Sequence, residues 1–360
     1  MLRKWFKDIH WPLIVAAAGL MIVGTLFIYS AAYHDSGNYE DKQVFWVGAC
    51  MILLFFIPVL GYRTFLSVSY LFYIFSIAML VAVLLFGKAR LGAKRWFVVG
   101  PIVIQPSEFA KLATILALAN FLGANSPIER KFRTVFIALL MVLVPFLLIA
   151  KQPDLGSAII FLPLGAILLF LWGIPYRVFM IAGISLLAAA PLAWEFLKEY
   201  QRKRILVFLN PNLDPLGAGY TAVQSKIAVG SGGLFGKGYM AGTQSQLQFV
   251  PEHHTDFIFC VIGEEWGYAG AVLVLSLYAL LFRSAFQVME GTTDIKAKLL
   301  IAGLASILFT QVFINIGMSF GLMPITGITL PFISYGGSSL LATTLGLGLI
   351  LSIYKERSIF

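Results

Sequence analysis

The hydrophobic pattern of this chain is a succession of apolar runs close to twenty residues long, parted by polar stretches that are mostly short. A bilayer's hydrocarbon core takes about twenty helical residues to cross. The runs at 11–32, 43–61, 64–87, 106–124, 132–150, 155–173, 176–195, 257–285, 297–319 and 329–353 therefore predict ten transmembrane helices. The expected fold is an all-α polytopic membrane protein, a single transmembrane domain over residues 1–360. A β-barrel would show short alternating segments instead. Short connections make neighbouring helices antiparallel, but 88–105 and 196–256 are long. The second is too long for a bare connection. Its start, Trp194 to Phe208, mixes Lys and Arg with Ile205, Leu206, Val207 and Phe208, which predicts an amphipathic helix lying at the membrane surface.

Composition agrees: 59% of residues are hydrophobic and 12% charged, against roughly a quarter charged in soluble domains. The run from Trp11 to Ala32 is too long for a signal-peptide core and is read as a retained first span. Cys50 and Cys260 both sit inside apolar runs, which leaves no disulfide framework or cysteine metal cluster.

Ten spans put both termini on one side. Arg3, Lys4, Lys7, Arg130, Lys131, Arg133, Lys296, Lys298, Lys355 and Arg357 fall there, so that side is the cytoplasm. The two long connections are then extracytoplasmic, with the larger lying between spans seven and eight. Yet they carry Lys88, Arg90, Lys94, Arg95, Lys198, Arg202, Lys203, Arg204, Lys226 and Lys237. Cations on the side that normally lacks them point to an anionic substrate, or to anionic outer-leaflet lipid.

Ionisable residues at membrane depth are functional candidates, and here they gather at the outer ends of the even-numbered spans. Glu108 opens span four, with Lys111 one turn deeper on the same face. Asp154 opens span six and Asp256 opens span eight. Asp256 closes Glu252-His253-His254-Thr255-Asp256, a denser set of titrating groups than a helix cap needs. Glu264 and Glu265 lie deeper and are read as structural, one of them paired with a base. Span ten is entered through Gly321, Pro324, Gly327 and Pro331, which predicts broken helix. Two glycine-rich stretches, Gly217–Ala222 and Gly232–Gly238, resemble nucleotide loops by letter only. Their context fails, and close backbone approach is the expected use. No His spacing marks a protein-built metal site.

An outward basin of carboxylates and cations suits a phosphate-bearing substrate. Outside the cell the activated group must already ride on lipid, and a sugar on polyprenyl diphosphate fits. Cations would stabilise the leaving diphosphate, and a carboxylate would take the proton of the attacking hydroxyl.

Five segments sharpen this: Gly92-Ala93-Lys94-Arg95-Trp96, Gln105-Pro106-Ser107-Glu108-Phe109-Ala110-Lys111, Gln152-Pro153-Asp154-Leu155-Gly156-Ser157, Pro251-Glu252-His253-His254-Thr255-Asp256-Phe257-Ile258-Phe259, and Leu330-Pro331-Phe332-Ile333-Ser334-Tyr335-Gly336-Gly337-Ser338-Ser339. In this order, over nearly the whole chain, they resemble the SEDS family (shape, elongation, division and sporulation), its elongation branch more than its division branch. The resemblance implies a bacterial cytoplasmic-membrane glycosyltransferase that polymerises lipid II into glycan strands for cell elongation. It implies a class B penicillin-binding protein and the elongation machinery as partners. It assigns the essential aspartate to Asp256 and matches Glu108, Lys111 and Asp154. The expected scheme makes Asp256 the general base. Lys111, Arg95, Arg204 and a divalent cation (Mg or Mn) hold the diphosphate, and His253 and Ser334 join the substrate-binding set. Neither an organic cofactor nor a nucleic-acid partner is expected. A lipid II flippase and a non-catalytic scaffold for the penicillin-binding protein are the competing readings.

Overall fold

The structure is a computed structural model that describes residues 9–33, 38–90, 93–99, 102–125, 132–197 and 199–357. Arg3, Lys4, Lys7, Gly92, Arg130, Lys131 and Lys198 lie outside the described residues. The first half runs α1 (Trp11–Ala32), α2 (Tyr39–Leu60), α3 (Tyr62–Ser67), α4 (Ser69–Phe86), the strands β1 (Lys88–Arg90), β2 (Ala93–Val99) and β3 (Ile102–Ile104), α5 (Pro106–Ala124), α6 (Phe132–Lys151), α7 (Leu155–Ile159) and α8 (Phe161–Trp172). The second half runs α9 (Tyr176–Phe196), α10 (Glu199–Leu209), α11 (Ala218–Ser231), α12 (Thr243–Gln246), α13 (Ile258–Glu265), α14 (Gly267–Glu290), α15 (Ile295–Ser319) and α16 (Gly337–Arg357).

Among the described residues, eight helical segments are long and apolar enough to cross a membrane, with α7 and α8 counted as one. The remaining two predicted spans coincide with α5 and α9. Glu108, Lys111 and Asn120 lower the apolarity of α5, and the apolar part of α9 stops at Ala189. The helices form layers. α1, α5, α15 and α16 are largely buried, whereas α9 has no buried side chain among those described. Exposed Leu186, Leu187, Ile181 and Ile184 on α9 are what a lipid-facing helix presents.

Three departures from the sequence expectations matter. The connection 88–105 contains an antiparallel three-stranded sheet in the order β1-β2-β3, pairing Lys88 with Trp96 and Phe97 with Ile104. Predicted span ten is helical only from Gly337, later than the expected start at 329; the stretch before it is turns and extended chain, the broken entry that Gly321, Pro324, Gly327 and Pro331 predict. Predicted span eight is broken between α13 and α14, at Trp266 and Gly267.

That break explains the glycine-rich stretch once compared with a nucleotide loop. Gly267 has a positive φ of 62°, and a Cβ there would sit 2.4 Å from the Gly236 nitrogen. The chain 232–238 lies directly on the broken helix. Lys237 and Gly238 donate to the Glu264 and Glu265 carbonyls (both 3.0 Å), while Tyr268 donates to Gly233 (2.9 Å) and Ala269 to Leu234 (3.0 Å). Backbone groups freed by the break are thereby satisfied, as a low-dielectric site demands.

The Glu264 side chain completes the join. It accepts from Lys237 Nζ (2.8 Å), from the Gln244 (2.8 Å) and Ser245 (3.0 Å) backbone amides, and from the hydroxyls of Thr243 and Ser245. One fully buried carboxylate thus pins the N-terminus of α12 and the glycine stretch together. The structural reading of Glu264 and its base partner is what the geometry shows. Glu264→Ala will orphan these donors and cost about 3–5 kcal/mol. The expected signs are a lower melting temperature in detergent and faster proteolysis near Lys237, with Glu264→Gln milder in both.

Candidate active site

Asp154 ends up where it is because it caps α7, its Oδ1 accepting from the Ser157 amide at 3.2 Å. Gln105, just before α5, reaches Asp154 Oδ2 at 3.4 Å. Arg95 comes in from β2. Its guanidinium donates to the carbonyls of Gln152 and Pro153 and lies 3.7 Å from Asp154 Oδ1. The unpredicted sheet therefore has a clear use: it aims a cation at the start of α7.

Asp256 lies in the turns that lead into α13. Its amide donates to the Glu252 carbonyl at 3.1 Å. Asn315 on α15 donates from one amide nitrogen to the Asp256 carbonyl (2.8 Å) and the Ile328 carbonyl (2.7 Å). This single side chain ties the loop, the broken entry to α16 and the core together. Residue 327 faces the carboxylate. Gly327 has φ 74°, and a Cβ there would lie 3.3 Å from Asp256 Oδ2. A larger residue would be strained and would crowd the carboxylate.

The Asp256 carboxyl retains some solvent exposure but is densely enclosed. Desolvation pushes its pKa up to about 7, helped by the negative charges of Glu252 and Asp154 and opposed by Arg95 and Arg204. Five predicted or flanking groups therefore share one electrostatic neighbourhood: Asp256, Asp154, Glu252, Arg95 and Arg204. Arg204 of α10 also lines a groove with Lys226, Val207, Phe208, Met318 and Met323.

Glu108 and Lys111 form a separate unit. They make a buried ion pair of 2.8 Å and line an adjoining cavity between α5, α15 and α16. α15 connects the two places, because Asn315 touches the Asp256 backbone and Gln311, one turn away on the same face, lines the cavity.

His253 and Ser334 are committed to the backbone. The His253 ring nitrogens face the carbonyls of Val250 (2.9 Å) and Ala31 (2.8 Å), which staples the loop to the end of α1. The Ser334 hydroxyl donates to the Thr255 carbonyl and accepts from the Leu330 amide. Both hold the Asp256 turn in place. Asn315 and Gln311 were not read as site residues from sequence. The usable signal was two amides four apart in an otherwise apolar span. Buried Ser107 Oγ, Thr326 Oγ1 and Asn315 Oδ1 have no hydrogen-bond partner among the described residues, so polar capacity is left over around the site. Among the described residues no group of three or more His, Cys, Asp or Glu side chains is arranged to hold a metal.

The fold and site define a multi-pass helical membrane protein with a carboxylate–cation centre where broken helix meets a large loop. The cell cycle protein family FtsW/RodA/SpoVE matches residues 10–359, and the chain belongs to that family. It is 41% identical over 361 residues to the peptidoglycan glycosyltransferase MrdB of Escherichia coli (strain K12), covering 99% of this chain and 96% of that one. It is 33% identical over 429 residues to the peptidoglycan glycosyltransferase RodA of Treponema pallidum (strain Nichols), covering 98% of each. A chain of a peptidoglycan synthase complex, solved for its coordination of polymerization and crosslinking, superposes with a TM-score of 0.86 at 35% identity, over 97% of this chain and 98% of that one.

Proposed function

We infer that this protein is a peptidoglycan glycosyltransferase that polymerises lipid II at the outer face of the bacterial cytoplasmic membrane. Ten crossings, α5 and α9 among them, place both termini in the cytoplasm and the 196–256 loop outside. The observation that carries the reading is Asp256. It is a carboxylate with its pKa pushed up to about 7 by desolvation, within the electrostatic reach of Arg95 and Arg204, and its backbone carbonyl is held by Asn315.

In the reaction Asp256 accepts the proton of the acceptor sugar hydroxyl. The freed oxygen attacks the donor's anomeric carbon with inversion. The bond from that carbon to the diphosphate oxygen breaks, and undecaprenyl diphosphate leaves with the electron pair. Arg95, Arg204 and Lys111 supply positive charge to the leaving group, and Glu108 orients Lys111. A divalent cation arriving with the diphosphate would take most of its oxygen ligands from the substrate. His253 and Ser334 act on substrate by fixing the Asp256 turn. A class B penicillin-binding protein of the elongation machinery cross-links the product.

The test is polymerisation of lipid II by the purified protein in detergent. A micelle has no sidedness, so polymer there supports the enzyme against a flippase or a scaffold, and its absence ends the enzyme reading. The pH profile adds a second check. A base with a pKa near 7 is protonated below it. kcat/KM will therefore fall about tenfold per unit on the acid side and level off above.

A further inference from the structure

Glu265 sits at the break in span eight beside Glu264, and both are 0% exposed. The two carboxylates are held very differently. Glu265 Oε1 accepts from Ser30 Oγ at 2.5 Å, and its Oε2 has no hydrogen-bond partner among the described residues. Lys237 is spent on Glu264, 2.8 Å away. The other charged or titrating groups on the surrounding elements do not neutralise Glu265. Glu264 repels it. Tyr239 donates to the Leu26 carbonyl, Tyr29 of α1 is 43% exposed, and His253 lies between the carbonyls of Val250 and Ala31. Lys226 of α11 turns to Gly321. Arg283 and Glu290 of α14, and Lys296 and Lys298 of α15, lie toward the opposite ends of those helices.

A lone ionised carboxylate is so costly to bury that it neutralises instead. Two neutralisers can be compared. A hard divalent cation needs about six or more oxygens, but both oxygens of Ser30 already accept from Gln246 Nε2, at 2.9 and 3.2 Å. A proton needs none of them.

The cover over Glu265 is a short piece of the outer loop. Glu264 pins the start of α12, and the chain 246–250 then runs along the end of α1. Gln246 binds Ser30, and the Val250 carbonyl faces His253 Nδ1, whose Nε2 faces Ala31. The Gln248 and Phe249 amides donate back to Ser245 (3.1 Å) and Gln244 (3.0 Å). Gln248 has a positive φ of 56°, a strained setting that persists only while the surroundings enforce it. Leu247 and Phe249 are 64% and 41% exposed, so their apolar surface adds little to the hold.

We propose that Glu265 is a buried proton-binding site and that residues 246–250 form a proton-linked strap across it. With the strap closed, Glu265 is the neutral acid. When the strap lifts, water reaches the carboxyl, and a hydrated glutamate is ionised at neutral pH. Closing takes up one proton and opening releases one. Acid therefore favours the closed strap and base the open one. The opening constant rises about tenfold per pH unit while the closed form stays protonated. The strap leads through Val250 and His253 into the Asp256 turn, so the pH at the outer face reaches that turn by a route separate from the titration of Asp256.

The experiment uses the purified full chain in detergent. Chymotrypsin cleavage after Phe249 is read by mass at pH 7, 8 and 9, and each rate is divided by that of a free peptide of the same segment. Cleavage that is slow relative to reclosing follows the open population. Wild type will rise about a hundredfold from pH 7 to pH 9, and Glu265→Gln, which cannot titrate, will stay flat. Gln246→Ala keeps the carboxyl and loses the tie to Ser30. It will be cleaved about fivefold to tenfold faster at every pH, with the wild-type slope. The infrared difference between wild type and Glu265→Gln at pH 8 will contain the C=O stretch of a protonated carboxyl. Exchanging sodium chloride for choline chloride will change none of this. Equal slopes in wild type and Glu265→Gln, absence of the carboxyl band, or a dependence on sodium overturns the proton site. If Glu265→Gln does not fold, wild type and Gln246→Ala decide: parallel tenfold-per-unit lines support the strap, and flat ones overturn it. These readouts need no turnover, so a wild type that makes no polymer counts against the enzyme reading and not against the strap.

Discussion

Asp256→Asn will yield a folded protein that makes no detectable polymer and melts higher than wild type at pH 8. The activity loss follows from removing the only group assigned to take the hydroxyl proton, and general-base catalysis is worth about 10²–10⁴-fold. The stability gain follows from linkage. In the fold the carboxyl titrates near 7, against an ordinary value of 3.8. The folded state therefore holds more protons than the unfolded state between those two pH values. Stability is highest below the lower one, declines as pH rises through the window, and is flat above about 7. At pH 8 the ionised, desolvated carboxylate is a net burden, with an upper bound on the order of 4 kcal/mol at about 1.4 kcal/mol per unit. Asparagine removes the charge in nearly the same volume. The checks are polymerisation of lipid II and melting in detergent at pH 5 and pH 8. The melting gap between variant and wild type will shrink at pH 5. An active Asp256→Asn protein, or one that melts lower than wild type at pH 8, removes Asp256 from the base role.

The same linkage shows why the site was only partly legible in the sequence. α1 was readable to the residue, because Trp11–Ala32 is one uninterrupted apolar run. Span eight was readable as a run but not as two helices. The break at Trp266 and Gly267 depends on the glycine stretch thirty residues earlier coming back to satisfy it, and such long-range pairing leaves no local period. The sheet that aims Arg95 was hidden for a related reason: β1 and β3 are three residues each, shorter than an alternation pattern can declare. Charged candidates such as Asp256, Asp154 and Lys111 stood out because ionisable residues at membrane depth are rare. Amides are a weaker signal, and Asn315 and Gln311 passed as ordinary polar residues in an apolar helix. His253 and Ser334 sit in the right motifs, but in the fold their polar atoms are spent on backbone carbonyls and an amide, partners far along the chain that no motif declares.

Lys111→Met will be the most destabilising of the site substitutions, and its rescue separates two roles that the ion pair combines. Glu108 and Lys111 are both buried and 2.8 Å apart. Removing the lysine strands a carboxylate at membrane depth, and breaking such a pair from one side costs about 3–5 kcal/mol. The single variant will melt far below wild type or fail to accumulate, and it will make no polymer. Pairing it with Glu108→Gln removes the stranded charge. The double variant will recover most of the lost melting temperature, since a buried ion pair replaced on both sides is often close to neutral. It will not recover polymerisation, because the cation that meets the diphosphate is still missing. Glu108→Gln alone keeps the lysine and will retain partial activity, as it loses only the partner that orients Nζ. The double variant decides the matter: full polymerisation by a stable Glu108→Gln/Lys111→Met protein would make the pair a structural strut and remove Lys111 from the leaving-group site.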